Sequence, residues 1–457
     1  MESLSIKELV VASNGTLVNG NELDEIKKIV IDSRAANEGD AFIAIIGENL
    51  DGHKFIQSAL ENGCKTFIKN KSNGIKFESS DINLIEVDET TKALGDIAKF
   101  YKEKFNIPYI GVTGSVGKTT TKDMIYSAIS TKFNTLKNEG NFNNHIGVPL
   151  TLFNLNSNHE CAIIEMGMSH FNEIEYLANI VNPKIGVISN IGLSHIENLG
   201  SQEGILKAKL EITSNFDKSN TLIINGDDEY LKKVCNDELG YELKTFGFDK
   251  NNDIYCLDYS IGEESLNFKC FINGKEEEIF IPTVGKHNIY NAMASILVGL
   301  SLGMDLSDIK AGLKNFKASK MRLDIIKKDG ITIINDAYNA SPDSMKAALD
   351  ILGRYKNRRV AILGDMFEMG EHSEYGHRLV GGYAIDNVDV LVTIGENSRH
   401  IGDEANKLGF NKLNIHHFSN KETAIKKLND IIVKDDVILV KASRGMQLEN
   451  IVQYLNR

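Results

Sequence analysis

Residues 107–121 read IPYIGVTGSVGKTTT. An apolar run, Ile107 to Thr113, feeds a loop holding Gly111, Gly114 and Gly117, then Lys118 and Thr119, with a helix following from about Thr120. In a strand, glycine loop and helix in that order, curled backbone presents successive N–H groups to a phosphate. Gly114, Ser115, Val116, Gly117, Lys118, Thr119 and Thr120 are therefore the expected phosphate contacts. Lys118 would reach the β/γ oxygens, and Thr119 would hold Mg²⁺ through its hydroxyl. The strict phosphate-loop pattern wants glycine at position 112, where this chain has Val112; the match is Gly-x-x-Gly-x-x-Gly-Lys-Thr. A nucleoside triphosphate is the expected ligand, but the loop alone fits a switch, a pump, a kinase or a ligase.

Working outward, apolar runs recur at Ala162–Glu165, Ile185–Ser189 and Leu222–Asn225 with helical patterns between them, which predicts a mostly parallel sheet covered by helices. Three alternating runs, Tyr255–Tyr259, Leu266–Ile272 and Glu278–Ile281, surround Asn273-Gly274, a hairpin signal. Helices at Asn288–Leu302 and Leu306–Asn315 follow. Upstream, Ile6–Ala12 is amphipathic, and Ile26–Ile31 reads as one strand ending in Asp32-Ser33-Arg34. Ala41–Ile46 reads as a second strand; helical spacing at Phe55, Ala59 and Leu60 stops at Gly63, and Thr66–Lys69 is extended. A helix over Leu94–Phe105 delivers the chain to the glycine loop. Downstream, strands at Ile331–Asn335, Val360–Leu363, Val390–Ile394 and Val437–Lys441 alternate with helices near 342–353, 372–384, 398–407, 421–433 and 446–455, a second α/β unit. The chain of 457 residues is about three times a typical domain of ~150 residues, and the pattern divides it at 1–106, 107–318 and 319–457.

Composition narrows the class. Acidic side chains outnumber basic ones 63 to 51, giving a net charge of −12, the reverse of a general nucleic-acid binder. No stretch approaches the ~18 apolar residues needed to span a bilayer, and the first residues lack a basic head before an apolar core. The five cysteines, Cys64, Cys161, Cys235, Cys256 and Cys270, never fall in a CxxC, which suits buried thiols in a reducing compartment. The expectation is a cytoplasmic protein without nucleic-acid partners or stable membrane insertion.

Two side chains beyond the loop carry chemistry. Glu165 ends a buried strand, where a carboxylate is costly to desolvate without a cation, and strand C-termini are where α/β enzymes bind ligands. It is read as a direct or water-mediated Mg²⁺ ligand, with a helix cap as the plain alternative. His195, in NIGLSHIEN, lies beyond the next strand and is read as a ligand of a second metal, on a strand neighbouring that of Glu165. Lys207 and Lys209, on residue chemistry alone, make a solvated helix face.

Together these stretches resemble the Mur ligases of bacterial peptidoglycan synthesis and their relatives that add glutamates to folate. GVTGSVGKTTT is similar to the family phosphate loop, NEGNFNNHIGVP (138–149) to its second signature, and GKHNIYNAMAS to its adenine-side helix. The resemblance covers essentially the whole chain. It implies an α/β fold of three domains: a mixed N-terminal domain for the UDP substrate, a central ATPase-type sheet and a C-terminal Rossmann-like domain. It implies ATP and Mg²⁺, with Lys118, Glu165, His195 and Lys209 as the catalytic set; Thr119, Glu165, His195 and a carbamylated Lys209 would serve the metal. Asn288 would lie near the base with His287 and Asn291 beside it, and Arg322 and Asp336 would approach the phosphates and ribose. Met321 stands before Arg322 where the family more typically has glycine. Ser33 and Arg34 would face the UDP-sugar, and Asn143 and Asn144 the substrate. Asn339, Asp365, Glu368 and Lys441 are read as dipeptide- or ATP-side residues.

NDAYNASPDSMKAAL (335–349), ILGDMFEMGEHSEYGHR (362–378) and VKASRGMQLENIV (440–452) are most similar to the family member that adds D-alanyl-D-alanine to UDP-N-acetylmuramoyl-tripeptide. The Asp-Asn-Pro-Arg motif of the ligase that adds the third stem residue is missing. The implied activity is amide-bond formation through an acyl phosphate by a monomer. The alternatives are another Mur-type or folylpolyglutamate-type ligase and a nucleotide-dependent protein switch, although the Asn-Lys-x-Asp of guanine switches is missing too.

Overall fold

Three main sheets carry the chain, each built largely from parallel strands with helices against their faces. The structure is a computed structural model and describes residues 1–236 and 238–456. The first sheet has five strands in the order Thr16–Asn19, Asn83–Val87, Thr66–Asn70, Asp40–Ile43, Lys28–Val30, with only the first pairing antiparallel. Ile26–Ile31, read as one strand, is divided. Ile26 pairs with Leu4 in a separate two-stranded ribbon, and Lys28–Val30 joins the main sheet.

The central sheet has nine strands, and its middle determines everything downstream. Tyr109–Thr113, the strand before the glycine loop, lies between Cys161–Glu165 and Ile185–Ile188, parallel to both. All five of its residues are buried, so it carries an unbroken apolar run, as a strand covered on both faces requires. Val112, the departure from the strict loop pattern, is a strand residue paired with Glu165 and Val187; the turn begins at Gly114. Gly111 is needed for packing instead: a Cβ there would come within 3.0 Å of Ile212 Cδ1. Because Tyr109–Thr113 intervenes, the strands leading to Glu165 and His195 are not neighbours, contrary to expectation. The sheet ends in the antiparallel run Ile254–Ile261, Leu266–Ile272 and Lys275–Ile281, turning at Asn273-Gly274.

Residues 324–441 form the third sheet, with six strands in the order Asp324–Lys328, Ile331–Asn335, Val437–Lys441, Arg359–Gly364, Val390–Ile394, Ile415–Phe418. Two apolar clusters fill its faces and, apart from Val284, consist of its own residues. The N-terminal and central units differ in this respect, because one continuous cluster runs from Leu4 through Tyr101 and Leu152 to Val234. Among the described residues, no helix is long and apolar enough to cross a membrane. Cys64, Cys161, Cys256 and Cys270 are buried free thiols and Cys235 is exposed.

Tyr101, on helix Thr90–Lys102, joins the first two units. Its buried hydroxyl donates to Leu155 O and accepts the Glu2 N–H, both at 2.6 Å. Tyr101→Phe keeps the ring and orphans both partners. The expected loss is about 1–3 kcal/mol, seen as a melting midpoint lowered by a few degrees. An unchanged midpoint would show that this junction contributes nothing.

Candidate active site

The parallel strands of the central sheet end together, and their C-terminal ends open into a cleft of about 1540 Å³. Its other wall comes from the third sheet, through Arg322, Asp336, Tyr338, Asn339, Glu368 and Lys441. On the central side the glycine loop curls through Gly114 (φ +150) and Gly117 (φ +85) into helix Lys118–Ile129. Gly114 leaves no room for a side chain: a Cβ would lie 1.9 Å from Ser189 Oγ. Asn190 braces the loop. Its side chain accepts the Val116 N–H at 2.9 Å and donates to Val116 O at 2.8 Å, and its carbonyl accepts the Ser115 N–H at 3.0 Å. The hydroxyls of Ser115 and Thr113 are buried with no protein partner among the described residues. Free hydroxyls beside a loop of N–H groups suit a polyphosphate. Lys118 Nζ donates to Gly114 O at 2.8 Å. Burial pushes its ammonium down, Glu165 pulls it up, Arg322 pushes it down and Glu368 pulls it up.

Glu165 is 2% exposed and fully engaged. Thr119 Oγ1 donates to its Oε2 at 2.8 Å and Asn143 Nδ2 to its Oε1 at 2.7 Å. Lys122 Nζ, buried one turn beyond Lys118, stands 3.7 Å from Oε2 and donates to Asn138 O at 2.6 Å. The Asn138 side chain brackets the Glu165 backbone, donating to its carbonyl at 3.0 Å and accepting its N–H at 2.9 Å. One hydroxyl, one carboxylate and a nearby phosphate loop match the donors Mg²⁺ takes, since it usually keeps waters and binds few carboxylates plus substrate phosphates. Among the described residues no three His, Cys, Asp or Glu side chains gather into a protein-only metal cage.

His195 caps the short helix Ile196–Leu199 in a left-handed conformation, φ +63. Its Nδ1 lies 2.6 Å from Glu368 Oε2 of the opposite wall, at an angle too bent for a good hydrogen bond. Lys209 is 1% exposed behind the cleft wall, and among the described residues its Nζ has no hydrogen-bond or ion-pair partner. Burial, and then Lys118, push its ammonium well below the ordinary lysine range. Lys207 is exposed on the other side of the helix, over the Phe171 ring.

Helix His287–Ser301 supplies Asn288 and Asn291. Asn288 Nδ2 donates to Val284 O at 2.7 Å and its Oδ1 accepts from Asn291 at 2.9 Å, while Asn291 Oδ1 accepts the Thr121 hydroxyl at 2.9 Å. Arg322 stacks on Tyr338, 4.1 Å from the ring centre, between two strained neighbours, Met321 (φ +60) and Leu323 (φ +53). A glycine would be at ease at 321; methionine holds the same turn at a cost of roughly 1–2 kcal/mol. Asp336 pairs with Lys441 at 2.5 Å, and Lys441 also donates to Asn339 O at 3.0 Å.

Some residues read as ligand contacts are placed elsewhere. Asp365 lies behind the wall, where it accepts the Ser398 N–H at 2.7 Å and the Glu396 N–H at 3.1 Å, so its carboxylate holds a loop. Ser33 and Arg34 do not line the cleft; Arg34 is solvent-exposed and held by Asp32 at 2.7 Å. Asn144 lines the cleft, but its Oδ1 is occupied by the Gly147 N–H at 2.8 Å. Sequence reasoning did not single out Asn138, Lys122, Asn190, Asp343 or Tyr338. Asn138 opens the quoted 138–149 stretch, and Lys122 follows Lys118 by one helical turn, a spacing that signals a shared face.

The chain matches the family described as Mur ligase, catalytic domain, over residues 25–102, the Mur ligase middle domain over 112–299, and the Mur ligase glutamate ligase domain over 321–444. It is 40% identical over 456 residues to the UDP-N-acetylmuramoyl-tripeptide–D-alanyl-D-alanine ligase of Bacillus subtilis, covering 99% of this chain and 98% of that relative. Among solved structures, MurF from Acinetobacter baumannii superposes with a TM-score of 0.92 at 30% identity over 100% of both chains. MurF ligase from Thermotoga maritima in complex with ADP superposes at 0.82 with 27% identity, over 93% of this chain and 96% of that one.

His287 lines the cleft close to Asp336 and Lys441. Burial pushes its imidazole from 6.5 down to about 4, against the pull of Asp336 and with a further push from Lys441. Between pH 6.5 and 4 the unfolded chain therefore binds a proton here that the folded chain refuses, and stability falls as pH falls through that window. His287→Gln is expected to flatten part of the acid decline in melting midpoint between pH 7 and 4.5. Equal slopes in the two proteins would contradict the assignment.

Proposed function

We propose, on the premise that the chain belongs to the Mur ligase family, how its cleft joins D-alanyl-D-alanine to UDP-N-acetylmuramoyl-tripeptide at the expense of ATP. The chain is a carbon–nitrogen ligase of peptidoglycan precursor synthesis. The observation that carries the reading is geometric: a phosphate loop and a buried carboxylate at adjacent strand ends face a second wall of polar side chains across one cleft.

A carboxylate and an amine do not condense in water, because the carboxylate is a poor electrophile and its oxygen a poor leaving group. In the proposed reaction the tripeptide carboxylate takes the γ-phosphoryl of ATP, ADP leaves, and the free amine of the dipeptide attacks the acyl phosphate and expels phosphate. Lys118 is assigned to the β/γ oxygens, and the N–H groups of residues 114–120 cradle the chain of phosphates. Thr119 and Glu165 are the residues that would hold Mg²⁺, which when bound offsets charge on the transferring group. Asn143 and Lys122 keep Glu165 aimed. Asn288 and Asn291 are proposed on the base side, and Arg322, Asp336 and Lys441 on the phosphate and ribose side. Two walls meeting over the acyl phosphate exclude competing water. Ser33 and Arg34, apart from the cleft, remain proposed for the UDP end of the long substrate. The reaction is placed in the cytoplasm.

Lys209 is proposed to be carbamylated. A neutral amine attacks CO₂ through its Nζ lone pair, forming the N–C bond and releasing one proton to solvent. The product carries a negative charge beside Lys118, so the repulsion that helps depress the amine becomes an attraction. The new carboxylate and His195 would together serve a second metal.

Purified protein given UDP-N-acetylmuramoyl-tripeptide and ATP is expected to release ADP with D-alanyl-D-alanine and not with free lysine, diaminopimelate or D-glutamate. Turnover with a free diamino acid alone would reassign the substrate. Lys118→Ala is expected to lower kcat by at least ~10³-fold in a folded protein, in line with the loss of electrostatic stabilisation of a transferring phosphoryl group. For Lys209, a carbon-13 carbamate resonance from labelled bicarbonate, absent in Lys209→Ala, is the direct check. A plain ammonium in active enzyme, with Lys209→Ala undiminished, would defeat it.

A further inference from the structure

Just beyond strand Arg359–Gly364, the third unit turns a short loop to the cleft with left-handed backbone at Glu368 (φ +60) and Gly370 (φ +49). Its side chains divide between two directions. Met366 and Met369 are buried in the apolar cluster of that unit, while Phe367, 46% exposed, and Glu368 line the cleft. A left-handed glutamate persists only where its surroundings over-determine the backbone. Three anchors do so here. Phe367 N–H donates to Ser443 Oγ at 2.8 Å and Ser443 N–H to Asp365 O at 3.0 Å, which ties the turn to the segment after strand Val437–Lys441. Met369 packs on Gly376 of helix Ser373–Ala384, where a Cβ would stand 2.5 Å from Met369 Cε. The third anchor is the Met366 N–H, which donates to His377 Nε2 at 3.0 Å.

His377 sits on that helix behind the wall, fully buried, and both of its ring nitrogens are committed. Nδ1 lies 2.7 Å from Ser373 O, and a carbonyl only accepts, so Nδ1 carries the proton. Nε2 is left with its lone pair, and that lone pair takes the Met366 N–H. The two partners therefore define one tautomer of the neutral imidazole. Burial pushes the ring below the ordinary histidine range, against the pull of the Ser373 carbonyl and Asp365 and with a further push from His400. A histidine that only filled space would need neither bond. This one gives its single acceptor to the backbone of a turn that lines the cleft.

Phe367 and Glu368 suit one of the substrates that meet at this wall better than the other. A carboxylate repels a triphosphate and an apolar ring offers it nothing, whereas D-alanyl-D-alanine brings an amine and two methyl groups. We propose that His377 is a positioning residue for the dipeptide side of the cleft: by accepting the Met366 N–H it holds the strained turn that presents Phe367 and Glu368 to the dipeptide. This inference rests on the ligase reading given above and on the third wall as the dipeptide side. Without the bond, the Met366 N–H is orphaned in the core and the turn relaxes, carrying both side chains out of place on the cleft face.

The test is steady-state kinetics on the full chain, with each substrate varied in turn and a melting curve for every variant. The two ring nitrogens are separated by substitution. His377→Gln places an amide oxygen near the Nε2 position, so it keeps the Met366 bond and loses the one to Ser373. His377→Asn keeps a donor for Ser373 O and is too short to reach Met366, and His377→Ala loses both. His377→Asn and His377→Ala are expected to raise the KM for D-alanyl-D-alanine at least ~10-fold, with kcat at saturating dipeptide and the KM for ATP within about threefold of wild type, the pattern of lost binding without lost chemistry. His377→Gln is expected to keep the dipeptide KM within about threefold of wild type, although its melting midpoint falls like that of His377→Asn. A histidine that acts only through stability predicts KM values that follow the melting midpoint, alike in His377→Gln and His377→Asn. That outcome, an unchanged dipeptide KM in His377→Asn, or a KM for ATP that rises in step with the dipeptide's, overturns the positioning role. If His377→Ala does not fold, the contrast between His377→Gln and His377→Asn decides alone. Wild-type protein that turns over another amine and not the dipeptide would instead defeat the ligase reading, before any variant is compared.

Discussion

Parallel pairing of the buried strand Tyr109–Thr113 with Cys161–Glu165 and Ile185–Ile188 fixes the position of every group on the central wall. The register is tight at the strand ends, where Gly114 passes Ser189 with no space for a methyl group. A slip of one residue would turn the alternate faces inside out and carry Glu165 away from Thr119. Nothing flexible stands between the sheet and the chemistry: the glycine loop, the carboxylate and Asn190 all leave the same three strands within a few residues. The cleft inherits its precision from the most apolar part of the molecule.

Buried charges in that wall are treated in two different ways. Glu165 is surrounded by Thr119, Asn143 and Lys122, so each of its oxygens meets a donor or a cation. An uncompensated ion at such depth would cost several kcal/mol. Lys209, equally deep, has no counter-charge among the described residues, and burial holds its ammonium well below the ordinary lysine range. The two residues differ in sequence only by being one acid and one base among many; burial is common to both, and the neighbours each one meets are not.

The glycine loop, the buried strands around it and both α/β units were legible because long apolar runs and helical spacing leave strong signals. The strands that escaped notice are mostly polar or at edges: Thr16–Asn19, Thr135–Lys137, Glu242–Gly247, Asp324–Lys328 and Ile415–Phe418. Edge strands bury one side at most, so periodicity says little about them. Asn83–Val87 lies inside its sheet and was missed because Asn83 and Glu86 break its apolar run. Resemblance supplied Lys209 and Arg322, which residue chemistry alone would have left as surface polar groups, while His195 was read from its place after a strand. What neither route conveyed was occupancy. Asp365 looks like any acid after a strand, yet two backbone N–H groups already claim it, and Glu368 reaches across to a histidine over 170 positions earlier in the chain.

The apolar cluster shared by the first two units bears on how the protein is made. Leu4, Leu9, Ile97 and Tyr101 leave the ribosome early, but their packing partners extend to Val234. At ~5–20 residues per second, the N-terminal unit waits on the order of ten seconds with its inner face uncovered. Until the central sheet closes over it, that apolar face is open to non-native association. The third unit, whose two clusters are almost entirely its own, can collapse once its last helix, Glu449–Leu455, is free of the ribosome.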